Sequence, residues 1–135
     1  MKTLIFCTSF FDTEELYQKR YQKWIDYYNR HPFTNDKHMY LIDDCSDLDF
    51  LTDNGAHIIN EDQLGSFQEV NKINIYSFNN RKGLNWSHNS ANNEGWWRSF
   101  SASLDIAKEY NYEKIIHIES DAFLISKRIF DYIDS

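Results

Sequence analysis

Glycine and proline are nearly missing from this chain, with four of one and one of the other in 135 residues. That scarcity leaves no room for a flexible linker, a low-complexity tract or a disordered tail. No internal repeat is visible. Cysteine is sparse too: Cys7 and Cys45 make no disulfide framework, and two thiols fit a cytoplasmic protein. No apolar run approaches the roughly 18 residues of a membrane span. The opening "MKTLIFCTSF" carries a lysine and a short apolar stretch, but the run is too short for a signal peptide and no small-residue cleavage site follows. Positive charge is also in short supply. Fourteen basic side chains against 21 acidic ones give a net charge of −7, and no basic cluster exceeds "NRK" at 80–82. Nucleic acid is therefore not an expected partner. The acidic excess serves solubility in most proteins, and it also suits a site that recruits a divalent cation.

What is present is apolar and aromatic, 41% and 17% of the chain. The length is that of a single domain, residues 1–135, with one real hydrophobic core. "TLIFCTSF" (3–10) reads as a buried strand. In "FDTEE", Asp12 and Glu15 have the spacing of a capping box. Tyr17, Tyr21, Trp24 and Tyr28 then share one helical face until "NRHPF", where Pro32 stops the helix. "HMYLIDDCSD" (38–47), "AHIIN" (56–60) and "INIYSF" (73–78) read as further strands. The asparagine-rich stretch 79–93 reads as a loop. From Glu94 a helix is predicted, with Trp97, Phe100, Leu104 and Ala107 at helical spacing, ending near Tyr110. "KIIHI" is a fifth strand, and "KRIFDYIDS" begins another helix.

Strands alternate with helices, and the apolar strands end in polar residues. The pattern predicts an α/β fold: a Rossmann-like open sheet with parallel strands at its centre and helices on both faces. Ligands of such sheets sit beyond the carboxyl ends of the strands. The residues there are Thr8 and Ser9 after the first strand, Asp43 and Asp44 after the second, and His117, Glu119 and Asp121 at the fifth. If the fifth strand ran straight on, those last three would share one side. Two carboxylates suit a hard cation, Mg²⁺ or Mn²⁺, shared with phosphate oxygens. An isolated Glu-x-Asp more often merely solvates a strand end, and His117 is more readily a core histidine than a metal ligand. Asp43 or Asp44 could accept from a base or ribose, or could cap "CSDLDFL". Arg98, beside Trp96 and Trp97 at a helix start, could hold a phosphate or simply cover an aromatic ring.

A first strand ending in hydroxyls, a second ending in "DDCS", and a helix leading into "HIESDAFL" together resemble the nucleotide-binding half of GT-A-fold glycosyltransferases. The resemblance covers the whole chain by order and spacing. It implies that Glu119 and Asp121 stand at the Asp-x-Asp-type motif and hold Mn²⁺ or Mg²⁺ on a nucleoside-diphosphate sugar of UDP or GDP type. Thr8, Ser9, Asp43, Asp44, Arg98 and Glu119 become the nucleotide-binding set. The implied reaction moves the sugar to a hydroxyl of a glycan or glycolipid acceptor, as in surface polysaccharide or lipopolysaccharide synthesis, in the cytoplasm or peripherally at the membrane. Trp86 and His88 could approach the donor sugar, though the stretch that carries them reads more readily as a plain surface loop. Family members usually continue well beyond this length, so the chain is expected to be the N-terminal part of a larger catalytic domain, and no catalytic base is assigned. A noncatalytic nucleotide-sugar-binding module, a metal-dependent phosphohydrolase and an aromatic interaction surface are the other readings.

Overall fold

The computed structural model describes residues 2–51, 57–66, 71–83 and 94–135. Five strands form one sheet: β1 (Thr3–Ser9), β2 (Lys37–Asp43), β3 (His57–Asn60), β4 (Ile73–Ser77) and β5 (Lys114–His117). Their order is β3-β4-β2-β1-β5, and every pairing is parallel. The fold is therefore α/β. The register sets Ser9, Asp43 and Ser77 side by side, so the carboxyl ends of three strands finish level.

Strands of a sheet buried on both faces read as near-continuous apolar runs, and Leu4–Cys7 of β1 is one. Its Ile5 and Cys7 pack with Tyr17, Tyr21, Trp24 and Tyr28 on one face, while Leu4 and Phe6 pack with Ala102 and Ile106 on the other. The first face is covered by a continuous helical stretch of α1 (Glu14–Leu16), a π-helical segment (Tyr17–Gln22) and α2 (Lys23–Arg30), together with Phe130 of α4 (Lys127–Asp134). The second face is covered by α3 (Glu94–Glu109).

Two local expectations change. Thr13, not Asp12, caps the first helix: its backbone is extended and its hydroxyl accepts from Leu16 N at 3.2 Å. With leucine three residues on, no capping box can close. In α3 the buried side is Gly95, Ser99, Ala102, Ser103, Ile106 and Ala107, whereas Trp97 and Leu104 are 62% and 63% exposed. Small side chains let this helix lie close against a sheet face already filled by Phe6, Tyr40, Ile42 and Tyr76. Of the four residues at helical spacing, Ala107 is buried and Phe100 packs against the same core, whereas Trp97 and Leu104 turn outward because the sheet supplies the volume.

Candidate functional site

From β1 the chain moves sideways to β2. After β4 it returns through α3 to β5 on the other flank of β1. The direction of winding thus reverses between β1 and β5, the place where open α/β sheets leave a crevice. A cavity of about 660 Å³ opens there. Its floor is the end of β1 with Thr8, Ser9 and Phe10. One wall is the turn Glu119–Ser120–Asp121, with Arg20 and Tyr21 of the π-helical segment beside it. The other wall is Asp44, Arg81, Gly83 and the start of α3 with Gly95, Trp96 and Ser99.

The two adjacent aspartates part company. Asp43 is fully buried and is not part of the cavity lining. It accepts from Ser9 Oγ at 2.8 Å, Ser46 Oγ at 2.8 Å and Ser46 N at 2.6 Å. The last contact reaches back across three residues, with Cys45 between them in the left-handed region at φ 65°. Asp43 therefore ties the strand ends together. Burial pushes its carboxyl from 3.8 up to about 6, although these hydrogen bonds work the other way. Asp44 lines the cavity and holds its wall. It accepts from Gly83 N at 2.7 Å and Lys82 N at 3.1 Å, and pairs with Arg98. A Cβ added at Gly95 would stand 2.7 Å from Asp44 Oδ2, so glycine is what lets α3 start against this carboxylate.

Arg98 is spent on the wall. Besides Asp44 it donates to Asn80 Oδ1 at 2.8 Å and Asn80 O at 2.6 Å, with its guanidinium 3.8 Å from the centre of the Phe78 ring. It is not part of the lining. Two other arginines are, and sequence reasoning assigned neither. Arg81, from the "NRK" cluster, lies 3.8 Å over the Phe10 ring. Arg20 donates from Nε to Ser120 Oγ at 2.6 Å. Each stands in a plain basic pair, Lys19–Arg20 and Arg81–Lys82, which marks no site, and only the fold brings residues 20 and 120 together.

Beyond β5 the chain turns. The strand stops at His117, Ile118 N still reaches Phe6 O at 2.9 Å, and Ala122 N then closes back on Glu119 O at 3.0 Å. Strand alternation therefore does not set the directions of Glu119 and Asp121; the turn does, and both line the cavity. His117 packs among Phe6, Phe100 and Trp96, with Nε2 3.1 Å from Glu119 Oε1. Trp96 Nε1 donates to the same oxygen at 3.3 Å. The imidazole and then the indole N–H hold the Glu119 carboxyl below its ordinary range, against partial burial. Among the described residues no three His, Cys, Asp or Glu side chains group closely enough to hold a cation unaided. The donors that Glu119 and Asp121 offer are hard oxygens, which fit a cation shared with a ligand's phosphates. Trp86 and His88 lie outside the described residues. Among those described, no helix is long and apolar enough to cross a membrane.

The raised Asp43 carboxyl makes stability depend on pH. Below about pH 4 the group is protonated folded or unfolded and contributes nothing. Between about 4 and 6 the unfolded chain releases the proton that the folded chain keeps, so rising pH favours unfolding. Above 6 the penalty is complete, about 3 kcal/mol for a shift of this size. Asp43→Asn should remove it. Urea unfolding at pH 4.5 and pH 7.5 should show the variant gaining on the parent as pH rises, and parallel stability curves would refute the account. No family model, no curated protein and no solved structure matches this chain.

Proposed function

We propose that the cavity binds the diphosphate of a nucleoside-diphosphate sugar, and that the chain is the Rossmann-like, nucleotide-binding part of a metal-dependent GT-A-type glycosyltransferase. The observation that carries this reading is charge placed at the switch point. Asp44 is already paired with Arg98, which leaves Arg20 and Arg81 facing a cavity that also holds Glu119 and Asp121. The arginines and carboxylates balance. One divalent cation would add the positive charge that a diphosphate needs.

Glu119 and Asp121 are the residues to hold Mn²⁺ or Mg²⁺, whose chemistry is Lewis-acid stabilisation of charge on the departing nucleoside diphosphate. Glu119 brings an oriented group, since Oε1 accepts from Trp96 Nε1 while Oε2 remains for the ligand. Thr8 offers its hydroxyl at the floor, whereas that of Ser9 is given to Asp43. Nucleoside contact falls to the Asp44 side of the cavity, because Asp43 is enclosed. The acceptor would be a hydroxyl of a glycan or glycolipid, the donor a UDP or GDP sugar, and the setting cytoplasmic or peripheral at the membrane.

Calorimetric titration with UDP, GDP and their sugars, with and without Mn²⁺, tests this reading. Metal-dependent binding of one nucleotide is expected. Glu119→Ala and Asp121→Ala should each weaken it at least about tenfold, the scale of one lost charge-assisted contact, with the unfolding midpoint little changed. Both variants binding like the parent would remove the carboxylates from the site. Nucleotide-sugar binding without turnover by the complete protein would identify a binding module, and hydrolysis of simple phosphate esters without nucleoside preference a phosphohydrolase.

A further inference from the structure

Of the cations around the cavity, Arg20 is the one whose position is set by the carboxylate turn itself. Its Nε donates to Ser120 Oγ at 2.6 Å. Ser120 is only 4% exposed and sits between Glu119 and Asp121, within the turn that Ala122 N closes on Glu119 O. The other candidates are committed or differently placed. Arg98 is taken by Asp44 and Asn80, Arg81 lies over the Phe10 ring, and Lys82 Nζ is 3.9 Å from Glu94. Arg20 forms no ion pair among the described residues.

A guanidinium held by Nε keeps its two terminal nitrogens in one plane with a fixed direction. That is the fork which matches two oxygens of a phosphate. Fixing it beforehand also reduces the side-chain entropy lost on binding. The backbone adds a second indication. Arg20 and Tyr21, both cavity residues, belong to the π-helical segment Tyr17–Gln22, a rare geometry found frequently at functional sites. Tyr21 in turn fixes the cavity floor, its hydroxyl donating to Phe10 O at 3.1 Å and accepting from Phe10 N at 3.2 Å. One helical segment thus positions both the floor and the cation.

We propose that Arg20, oriented by Ser120, is the group that grips a phosphoryl oxygen pair of the ligand, and that Ser120 acts as its positioning residue. The proposal rests on the reading of the cavity as a diphosphate site and assigns the recognition to two residues outside the carboxylate pair. It makes the helix after β1 and the turn after β5 two jaws linked at the cavity by the Arg20–Ser120 hydrogen bond, so that the ligand's phosphates are read from the helix side as well as from the carboxylates.

The test is calorimetric titration of the full chain with inorganic pyrophosphate, UDP and GDP, each with and without Mg²⁺, for the parent, Arg20→Gln, Arg20→Lys and Ser120→Ala. Arg20→Gln should weaken pyrophosphate and the nucleotide about 10- to 100-fold, the worth of a charge-assisted pair of hydrogen bonds. Arg20→Lys should recover only part of the loss, since an ammonium restores charge but not the fork. Ser120→Ala should weaken binding a few-fold, and nothing further should be lost when it is added to Arg20→Gln; additive losses would remove the positioning role. Arg20 is exposed, so its variants should keep the parent's unfolding midpoint. A parent that binds diphosphate with Arg20→Gln binding equally well would overturn the Arg20 assignment alone. A parent that binds none of the three probes would overturn the diphosphate reading, and this assignment with it.

Discussion

Replacing Asp44 by alanine is expected to destabilise the chain by about 3–5 kcal/mol, the cost of stranding one partner of a buried ion pair. The side chains of Arg98 and Asp44 are only 19% and 8% exposed, so water from the cavity replaces the lost carboxylate at Arg98 only in part. The Gly83 and Lys82 amides lose their acceptor in the same step. Contacts from Arg98 to Asn80 survive and place the expected value toward the lower end. The distinguishing control is the double variant Asp44→Ala with Arg98→Met, which removes the orphaned charge and should recover part of the loss. Urea unfolding with the slope checked for constancy measures both. A loss below about 1 kcal/mol would mean that the pair behaves as an exposed surface bridge, and that the cavity wall is held by something else.

The fold was legible wherever residue type and spacing act locally. β1 and the Tyr17, Tyr21, Trp24, Tyr28 stripe came directly from periodicity, and all four aromatics are buried as expected. His31, the residue before Pro32, takes an extended backbone and ends the helix as a pre-proline residue should. Parallel pairing followed from strands that are apolar on both faces. Legibility failed where a neighbour decides. The buried side of α3 is set by the bulk of the sheet beneath it, so Trp97 and Leu104 could not be told from core by their own sequence. Asp43 and Asp44 are chemically identical and adjacent, yet a left-handed Cys45 turns Ser46 back to enclose one, while the backbone after β4 wraps the other. Arg98 stood beside tryptophans and invited a ligand, but Asn80, 18 residues before it, claims it. Arg20 reaches Ser120 across 100 residues, a contact no local pattern encodes.

Tyr28 should be the residue whose loss is felt both in the core and at the site. It is fully buried, packed against Trp24 with ring centres 5.3 Å apart. Its hydroxyl donates to Ala122 O at 2.9 Å and accepts from Leu124 N at 3.0 Å. Those two groups belong to the segment that follows the carboxylate turn directly, and Tyr27 adds a bond to Leu124 O at 2.6 Å. Tyr28→Ala opens a cavity of aromatic size and should cost about 3–5 kcal/mol. Tyr28→Phe keeps the ring and removes only the hydroxyl, leaving a buried carbonyl and amide without their partner, for about 1–3 kcal/mol. The phenylalanine variant is the informative one, because it keeps the ring and separates packing from tethering. If the hydroxyl holds the turn in place, Tyr28→Phe should also weaken metal-dependent diphosphate binding a few-fold, although residue 28 does not line the cavity. Unchanged affinity in a measurably destabilised Tyr28→Phe variant would locate the turn's support elsewhere, in the His117 and Trp96 contacts to Glu119 and in the Arg20–Ser120 hydrogen bond.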